Sequence, residues 1–468
     1  MIKLKRNEII FAFLGLIFFA VLGWVFFAYK ISCSLLLAIL FFCIYLKYFR
    51  KKLEPSYTHL SFLIVLSIAS LLITRQSGLG IYSMPIIALA ILSTVLFEDI
   101  EVSFVYNLFN SLMVCFIYKM DVRGFVVMLL SGLTASFFSL KVRRRTSIIK
   151  AGIIAGIVEF LLGYALISKT YGNGDIMGVL KESMLNGFIS SVIVIGVLPL
   201  FEALFGVITN ISLLELSDFN HPILRKMILE APGTYQHSLV VANLAETAAE
   251  EIGANSLLAR VGAYYHDIGK IGKSEYFSEN QMLASQRDKH KKLNPSMSKL
   301  IIINHIKEGV ELARKYRLNR KIIDFIQQHH GTTLVYYFYR MAQQKDSSSG
   351  KKESEDAYRY PGPKPNSKEI AIVHLADTVE ARSRALEDPS PARIKEMVKD
   401  SINKRLLDGQ LSESNLTMKD LDIISKVFVR VLNAMFHTRI EYPKDTNDNN
   451  NQPFKNSKGK QNKTETPD

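Results

Sequence analysis

Cysteine and tryptophan are scarce in this chain of 468 residues, which contains three cysteines and one tryptophan. Cys33, Cys43 and Cys115 each fall inside an apolar segment. This placement predicts neither a disulfide framework nor a metal site built on thiolates. Acidic residues are also outnumbered, because 43 Asp and Glu face 57 Lys and Arg and leave a formal net charge of +14.

The excess positive charge lies beside apolar segments. Basic clusters occur within 3–6, 47–52 and 141–145. Clusters of this kind set the orientation of membrane proteins. No nucleic-acid-binding motif surrounds them, so we do not expect a nucleic-acid polymer as a partner. The charge pattern instead predicts a lipid bilayer as the partner of this part of the chain.

Apolar residues make up 49% of the sequence and are concentrated before residue 210. A membrane-spanning helix needs about 20 mostly apolar residues. The region 1–210 is therefore predicted to be a transmembrane domain of about eight helices. The candidate spans are 9–29, 31–49, 58–75, 80–97, 103–119, 124–140, 148–169 and 185–209.

The distribution of basic loops favours eight passes over seven. With the N-terminus inside, eight passes place both other basic loops and the segment after 210 on the inner side. The outer loops, 76–79 and 170–183, then carry little positive charge. Seven passes would place the basic N-terminus outside, against the positive-inside rule. Several spans are short, and the sequence alone leaves seven and eight passes open.

Residues 211–442 have the periodicity and capping signals of helices. Val240, Leu244 and Ala248 recur on one helical face, and Gly253 is expected to end that helix. Few strand-like alternations occur. The predicted fold class is therefore all-α, with a polytopic helical membrane domain followed by a second, all-helical domain.

Two polar stretches are predicted to lack regular structure. Residues 344–368 are rich in Ser, Lys, Glu and Pro and are expected to form a loop between two helices. Residues 443–468 are rich in Asn, Lys and Thr and are expected to be a disordered tail.

Seven residues with metal-binding side chains stand out in the second region. Two adjacent pairs, His266–Asp267 and His329–His330, are each expected at the C-terminal end of a helix, and Gly269 and Gly331 follow them. Loose helix ends can direct two neighbouring side chains to one point, which favours a metal site over isolated structural histidines. The set is His237, His266, Asp267, His305, His329, His330 and Asp377.

Imidazole and carboxylate ligands together suit first-row divalent metals. A carboxylate between histidine groups can bridge two ions, which clamp a phosphoryl group and lower the pKa of a water molecule. Lys270, one turn beyond Asp267, is placed to supply positive charge near a phosphate. The alternative for Lys270 is a solvated lysine at a helix end.

Six stretches of sequence around these residues resemble the seven-transmembrane HD family of bacterial cyclic di-AMP phosphodiesterases. The resemblance covers the membrane region and the second region to about Tyr442. The stretches are Leu213–Ser217 (LLELS), Ala231–Ser238 (APGTYQHS), Tyr265–Lys270 (YHDIGK), His329–Thr333 (HHGTT), Arg359–Pro365 (RYPGPKP) and Leu375–Ala381 (LADTVEA).

The resemblance implies a role for each residue of the site and a substrate. Lys270 matches a lysine expected to contact the scissile phosphate. The family's metals are iron or manganese, and these residues do not choose between them. Its substrate is cyclic di-AMP, which is opened to the linear dinucleotide pApA. One ion would be held by His237, His266, Asp267 and Asp377, and the other by Asp267, His305, His329 and His330, with Asp267 bridging.

The resemblance also implies the bacterial cytoplasmic (inner) membrane as the location, with the HD domain in the cytoplasm. Typical members carry a large extracytoplasmic domain between the first transmembrane helix and the following seven. Here that space is a short join near Lys30. One plus seven helices therefore fits a member without this domain. The sequence leaves open whether the chain forms a homo-oligomer and which signal its membrane domain senses.

Three other functions fit parts of the pattern. A second HD branch acts on cyclic di-GMP and carries Gly-Tyr-Pro after its paired histidines, whereas Gly331–Thr333 follow them here. An enzyme of the same fold could hydrolyse another cyclic or linear dinucleotide with the same ligands. A non-catalytic membrane receptor that binds a nucleotide would be expected to lose ligands, and this sequence lacks none of the seven.

Overall fold

The backbone of the described residues is helical, with short connections. One isolated β-bridge, between Leu334 and Arg359, is the extent of strand-like pairing in these ranges. The all-α fold class is therefore confirmed for this part of the chain. The predicted spans 9–29, 31–49 and 58–75 and the predicted tail 443–468 lie outside the described residues. The computed structural model describes residues 81–118, 120–168, 176–281, 289–346 and 354–436.

Five apolar helices come first in the described part, and each overlaps a predicted span. By length and composition, three helical stretches there can cross a membrane, namely Val122–Ser139, Arg145–Leu166 and Ile176–Leu204. The last helix begins at Ile176 rather than at 185, because the polar residues before 185 continue the same helix. The five are α1 (Ile86–Phe97), α2 (Ile100–Tyr118), α3 (Val122–Ser139), α4 (Arg145–Gly163) and α5 (Ile176–Phe205).

Small residues let α4 and α5 pack with their backbones close together. A Cβ atom added to Gly152 would overlap the backbone carbonyl of Gly187. Ser191 Oγ donates a hydrogen bond to the carbonyl oxygen of Ile148 at 3.1 Å across the same interface. Apolar burial gives little driving force between helices in lipid, so close packing and such hydrogen bonds hold this pair together.

The described part of the second region contains ten α-helices of seven or more residues. A 3₁₀ helix spans Ile268–Tyr276, and a single helical turn spans Ser278–Gln281. The helices are α6 (Asn210–Leu216), α7 (Pro222–Glu230), α8 (Pro232–Glu251), α9 (Ser256–Tyr265), α10 (Pro295–Lys315), α11 (Arg320–Gln328), α12 (Tyr336–Asp346), α13 (Lys368–Arg384), α14 (Pro391–Leu407) and α15 (Met418–Phe436).

Capping residues explain where α8 ends and α9 begins. Gly253 follows α8 with φ +69°, a backbone conformation that a side chain would strain. The side chain of Asn255 then accepts a hydrogen bond from the backbone N–H of Leu258 at 2.9 Å and caps α9. The predicted end of α8 is confirmed, and α9 ends directly before the first histidine–aspartate pair.

Helix α13 forms the centre of the second region. Ile370, Val373 and Val379 are at most 3% exposed, and α8, α9, α11 and α14 pack around the helix. A helix covered on several sides presents its few polar residues to its neighbours rather than to water. Asp377 and Glu380 of α13 therefore reach the interior of the domain.

The predicted loop 344–368 is more ordered than expected where the structure describes it. Helix α12 continues to Asp346, and a 3₁₀ turn spans Glu355–Tyr358. Tyr358 is fully buried against Phe338 and Ala342. Its carbonyl oxygen accepts a hydrogen bond from the Val335 N–H at 2.9 Å. An apolar anchor thus orders a segment whose overall composition is polar.

Helix α6 joins the membrane helices to the second region. The Glu202 carboxylate in α5 accepts hydrogen bonds from the Thr209 backbone N–H at 2.9 Å and from Ser212 Oγ at 2.7 Å. Arg145, at the start of α4, pairs with Glu215 of α6 at 2.7 Å. The basic loop before α4 therefore lies on the same side of the membrane helices as the second region.

Candidate metal centre

The structure brings all seven predicted ligands together. His237 lies in α8, His305 in α10 and Asp377 in α13, while the two adjacent pairs directly follow α9 and α11. Six of the seven are buried, and the side chain of His330 is 19% exposed. Five separate segments of the chain thus converge on one buried point.

Asp267 stands at the centre of the cluster. Its Oδ1 lies 3.4 Å from His305 Nε2 and 3.4 Å from His329 Nε2. Its Oδ2 lies 3.2 Å from His266 Nε2 and 3.6 Å from His237 Nε2. Each carboxylate oxygen therefore faces a different pair of imidazoles.

Asp377 closes the other side of the cluster. Its Oδ1 lies 3.1 Å from His237 Nε2, and its Oδ2 lies 3.5 Å from His330 Nδ1. Two groups of side chains have donor atoms close enough together to hold a metal ion, and Asp267 belongs to both. The groups are His237, His266 and Asp267, and Asp267, His305, His329 and His330.

Gly269 permits the close approach that places His305 beside Asp267. A Cβ atom at Gly269 would overlap the carbonyl oxygen of His305 and lie 2.6 Å from Gly309 N. The residues after Asp267 form a 3₁₀ helix, so the glycine-containing turn expected there differs from the structure. The glycine-containing turn expected after the second pair is present at Gly331, whose φ is +55°.

Hydrogen bonds to Nδ1 orient four of the histidines. His237 Nδ1 donates to Glu380 Oε2 at 2.5 Å. Three others donate to the carbonyl oxygen of the residue three positions earlier. With the proton on Nδ1, each Nε2 presents a lone pair to the cluster, the tautomer that metal-binding histidines adopt. The backbone bonds are His266 to Ala263 (2.7 Å), His329 to Ile326 (2.9 Å) and His305 to Ile302.

The atoms at the centre of the cluster lack the partners that buried polar atoms normally have. Neither oxygen of Asp267 forms a hydrogen bond of normal geometry, and His237 Nε2 and His266 Nε2 form none. His305 Nε2 and His329 Nε2 lie 3.3 Å apart, and both nitrogens present lone pairs. A cation between such donors removes their repulsion, and donors bound at about 2.0–2.2 Å stand roughly 3 Å apart. These residues therefore fit a metal.

Burial and charge keep the ligands in metal-binding form. Burial lowers the pKa of His305 to about 4 and holds that of His330 well below its ordinary value. Burial alone would raise the pKa of Asp267, but His266 and Lys270 outweigh it and the pKa lies well below its usual range. Neutral imidazoles around an ionised carboxylate are the forms that bind metal.

His237 differs from the other histidines because two carboxylates face it. Burial lowers its pKa, but the nearby carboxylates of Asp377 and Glu380 outweigh that effect and raise the pKa to about 10. A metal ion at Nε2 would displace this proton, because a ligating histidine must be neutral. Metal binding at this position is therefore expected to release a proton.

Lys270 is held at the edge of the cluster by two carboxylates. Its Nζ lies 2.6 Å from Asp267 Oδ2 and 2.9 Å from Glu279 Oε1, and its side chain is 12% exposed. These partners raise the pKa of Lys270 despite its burial. The residue is therefore a fixed cation beside the metal ligands rather than a solvated lysine at a helix end.

Three residues near the cluster were missed in the sequence. Glu380 was detectable, because it follows Asp377 by three positions and so shares its helical face. The ring of Tyr360 stacks on that of His330, with centroids 4.4 Å apart and planes at 24°. Tyr360 lies in an irregular segment and Glu279 in a single helical turn, and neither segment is long enough to give a periodic signal in the sequence.

The helical fold and the histidine–aspartate cluster are those of an HD-type domain. Residues 234–382 match the model of the HD domain. Residues 25–209 match the model described as "7TM receptor with intracellular HD hydrolase". The chain belongs to this family of seven-transmembrane HD proteins and is a membrane protein.

Two curated relatives carry the same name. The cyclic-di-AMP phosphodiesterase PgpH of Bacillus subtilis (strain 168) is 39% identical over 393 residues, which are 82% of this chain and 54% of the relative. PgpH of Listeria monocytogenes serotype 1/2a (strain 10403S) is 39% identical over 325 residues, which are 68% of this chain and 44% of the relative. The chain thus spans about half the length of the curated relatives it matches.

A crystal structure of the L. monocytogenes PgpH HD domain in complex with cyclic-di-AMP is also similar. It is 45% identical, covers 47% of this chain and 100% of its own, and has a TM-score of 0.44.

Replacing Asp267 tests the shared ligand. Asp267→Ala is expected to reduce bound metal to background, because both ligand groups lose their common carboxylate. Metal content is measured by mass spectrometry after gel filtration in detergent. Asp388→Ala, at an exposed ion pair, is the control and should keep its metal. Full metal content in Asp267→Ala protein would contradict the assignment.

Replacing Glu380 tests whether its hydrogen bond with His237 strengthens metal binding. Glu380→Ala is expected to lower metal affinity by about 10- to 100-fold, as found when outer partners of metal ligands are removed. Calorimetric titration with Mn²⁺ gives the affinity, and Glu380→Gln, which keeps an acceptor for His237, should restore part of it. Glu396→Ala, at an exposed position, is the control. An unchanged affinity in Glu380→Ala protein would show that this hydrogen bond does not support binding.

Proposed function

We propose that this chain is a membrane-bound phosphodiesterase that uses two divalent ions, iron or manganese, to hydrolyse cyclic di-AMP to pApA in second-messenger signalling. The observation that carries the proposal is the position of Asp267, whose two oxygens face two different ligand groups. The two PgpH relatives, both named as cyclic-di-AMP phosphodiesterases, support the choice of substrate.

The residues of the chain would divide the work as follows. His237, His266 and Asp377 would complete one metal site with Asp267, and the other three histidines would complete the second. When bound, two such ions polarise a phosphoryl group and lower the pKa of a coordinated water. The chain itself holds the ligands in register through α8, α10 and α13 and excludes bulk water from the buried carboxylate.

Lys270 would contact the phosphate that is cleaved. Its ammonium lies next to Asp267, the residue shared by the two ligand groups, and also pairs with Glu279. A cation fixed at this position stabilises the negative charge that grows on the phosphoryl oxygens in the transition state. Glu279 is thus a positioning residue for Lys270.

The orientation of the chain follows from the basic loop before α4. Arg143, Arg144 and Arg145 lie there, and the Arg145–Glu215 ion pair ties the loop to the side on which the HD domain stands. Basic loops stay on the cytoplasmic side of a membrane. This arrangement supports an HD domain in the cytoplasm, beneath the bacterial inner membrane.

Product analysis tests the proposed substrate. The chain purified in detergent with Mn²⁺ is expected to convert cyclic di-AMP to pApA much faster than it converts cyclic di-GMP. Chelation should abolish turnover, and added Mn²⁺ or Fe²⁺ should restore it. Metal-loaded protein that hydrolyses neither cyclic dinucleotide would move the assignment to another phosphate ester or to a non-catalytic receptor.

Lys270 has a separate prediction. Lys270→Ala is expected to keep the metal and to lower kcat by about 100- to 1,000-fold, the cost of removing one transition-state contact. Steady-state kinetics and metal content are measured on the same sample. The control is Lys273→Ala. Lys273 lies in the same 3₁₀ helix as Lys270, is more exposed and pairs with Glu308 of α10. A kcat equal to that of the control would exclude Lys270 from the reaction.

A further inference from the structure

A second cation, Arg405, lies beside the cluster without an acidic partner. It stands in the last turn of α14 and is half-buried. Its Nε donates a hydrogen bond at 3.2 Å to Oγ1 of Thr378, the residue that follows Asp377 in α13. Among the described residues it forms no ion pair. The guanidinium is thus anchored through one nitrogen, and its two terminal nitrogens have no acceptor in the part of the chain that the structure describes.

The carboxylates near Arg405 are committed to other groups. Asp408 pairs with Arg359 at 3.0 Å and accepts a hydrogen bond from Gln410 Nε2 at 2.9 Å. Asp377 faces His237. Burial lowers the pKa of Arg405 although Asp377 and Asp408 act against it, so the protein does not fully compensate this charge. A half-buried guanidinium of this kind is suited to an anionic ligand.

Tyr360 presents a hydroxyl to the same region. Its ring is fixed by stacking on His330, and its backbone N–H donates to the Thr333 carbonyl oxygen at 2.9 Å. The hydroxyl forms no hydrogen bond with the part of the protein that the structure describes. The charges of Lys270, Asp377 and Arg405 all act on it. The Tyr360 hydroxyl therefore lies near the ligand cluster with its hydrogen-bonding capacity unused.

Arg405 and Lys270 are anchored by different residues around the cluster. Lys270 is anchored by Asp267 and Glu279, whereas Arg405 is anchored beside Asp377 through Thr378. A cyclic dinucleotide carries two phosphodiesters, and the metal ligands with Lys270 would engage the one that is cleaved. The terminal nitrogens of an arginine and a tyrosine hydroxyl can donate hydrogen bonds to the oxygens of the second phosphate.

We propose that Arg405 and Tyr360 bind the phosphate of the cyclic dinucleotide that is not being cleaved. This proposal rests on the proposed function and names the residues that distinguish a dinucleotide from a simple phosphodiester. Since the contact does not involve the reacting phosphorus, its loss should weaken substrate binding more than it slows the chemical step.

The test compares two substrates on the full chain in detergent with Mn²⁺. Cyclic di-AMP has two phosphates, and bis(p-nitrophenyl) phosphate has one. Arg405→Gln is expected to lower kcat/KM for cyclic di-AMP by about 10- to 100-fold, mainly through KM, as for the loss of a hydrogen bond between charged groups. The loss on the one-phosphate substrate should be at least about tenfold smaller. Tyr360→Phe should lower the ratio of kcat/KM for cyclic di-AMP to kcat/KM for bis(p-nitrophenyl) phosphate by about threefold to tenfold.

Two further variants separate charge, geometry and folding. Arg405→Lys keeps the charge without the fork and should recover part of the cyclic di-AMP activity. Arg393→Gln removes a positive charge from the exposed beginning of the same helix, where Arg393 pairs with Asp388, and should leave the ratio of the two activities as in the wild type.

Each outcome has a defined meaning. Equal losses on both substrates, or no loss on either, would overturn the role of Arg405 in binding the second phosphate. Wild-type protein that cleaves bis(p-nitrophenyl) phosphate but not cyclic di-AMP would instead overturn the proposed substrate, and this proposal with it. A KM effect confined to cyclic di-AMP supports both.

Discussion

One buried carboxylate organises the HD domain. Asp267 is 1% exposed, and its two oxygens face two imidazole pairs that arrive from different segments of the chain. The Lys270 ammonium pairs with this carboxylate at 2.6 Å, but buried imidazole lone pairs that face each other are costly. The arrangement is favourable when cations compensate it. We therefore infer that metal binding and the final packing of this domain are energetically linked.

The rest of the domain is built to hold the donors of that centre in place. Helices α9 and α11 end where their histidine pairs begin, so two neighbouring side chains can point to the same place. Gly269 lets the 3₁₀ helix approach α10 at His305. On the outside of the cluster, carbonyl oxygens and Glu380 fix the histidine tautomers. Tyr265, directly before the first pair, donates a hydrogen bond to the Leu216 carbonyl oxygen at 2.8 Å. The connecting helix α6 thus contacts the segment that carries His266 and Asp267.

Much of this arrangement could be predicted from the sequence. Helices with a regular apolar period and clear caps, such as α8 before Gly253, depend on local signals. The seven candidate ligands could be selected because histidine and aspartate are chemically distinctive and occur in adjacent pairs. The start of α5 was placed at 185, because a hydropathy pattern does not detect polar residues that extend an apolar helix.

Other features depend on tertiary contacts that no local pattern encodes. The pairing of Lys270 with Glu279, the stacking of Tyr360 on His330 and the anchoring of Arg405 by Thr378 each join residues from different elements. The ordering of Tyr358 within a polar stretch has the same origin, since its partners lie in α12. Glu380 could be predicted in part. Helical periodicity places it on the same face as Asp377, but it does not predict the hydrogen bond from His237.

The most direct test of the central claim is anomalous diffraction from metal-loaded crystals, recorded at the manganese or iron absorption edge. Two peaks are expected about 3.5–4 Å apart, one next to each oxygen of Asp267. His237 and His266 should adjoin one peak, and His305 and His329 the other. A single peak, or two peaks of which only one contacts Asp267, would contradict the shared carboxylate on which this account depends.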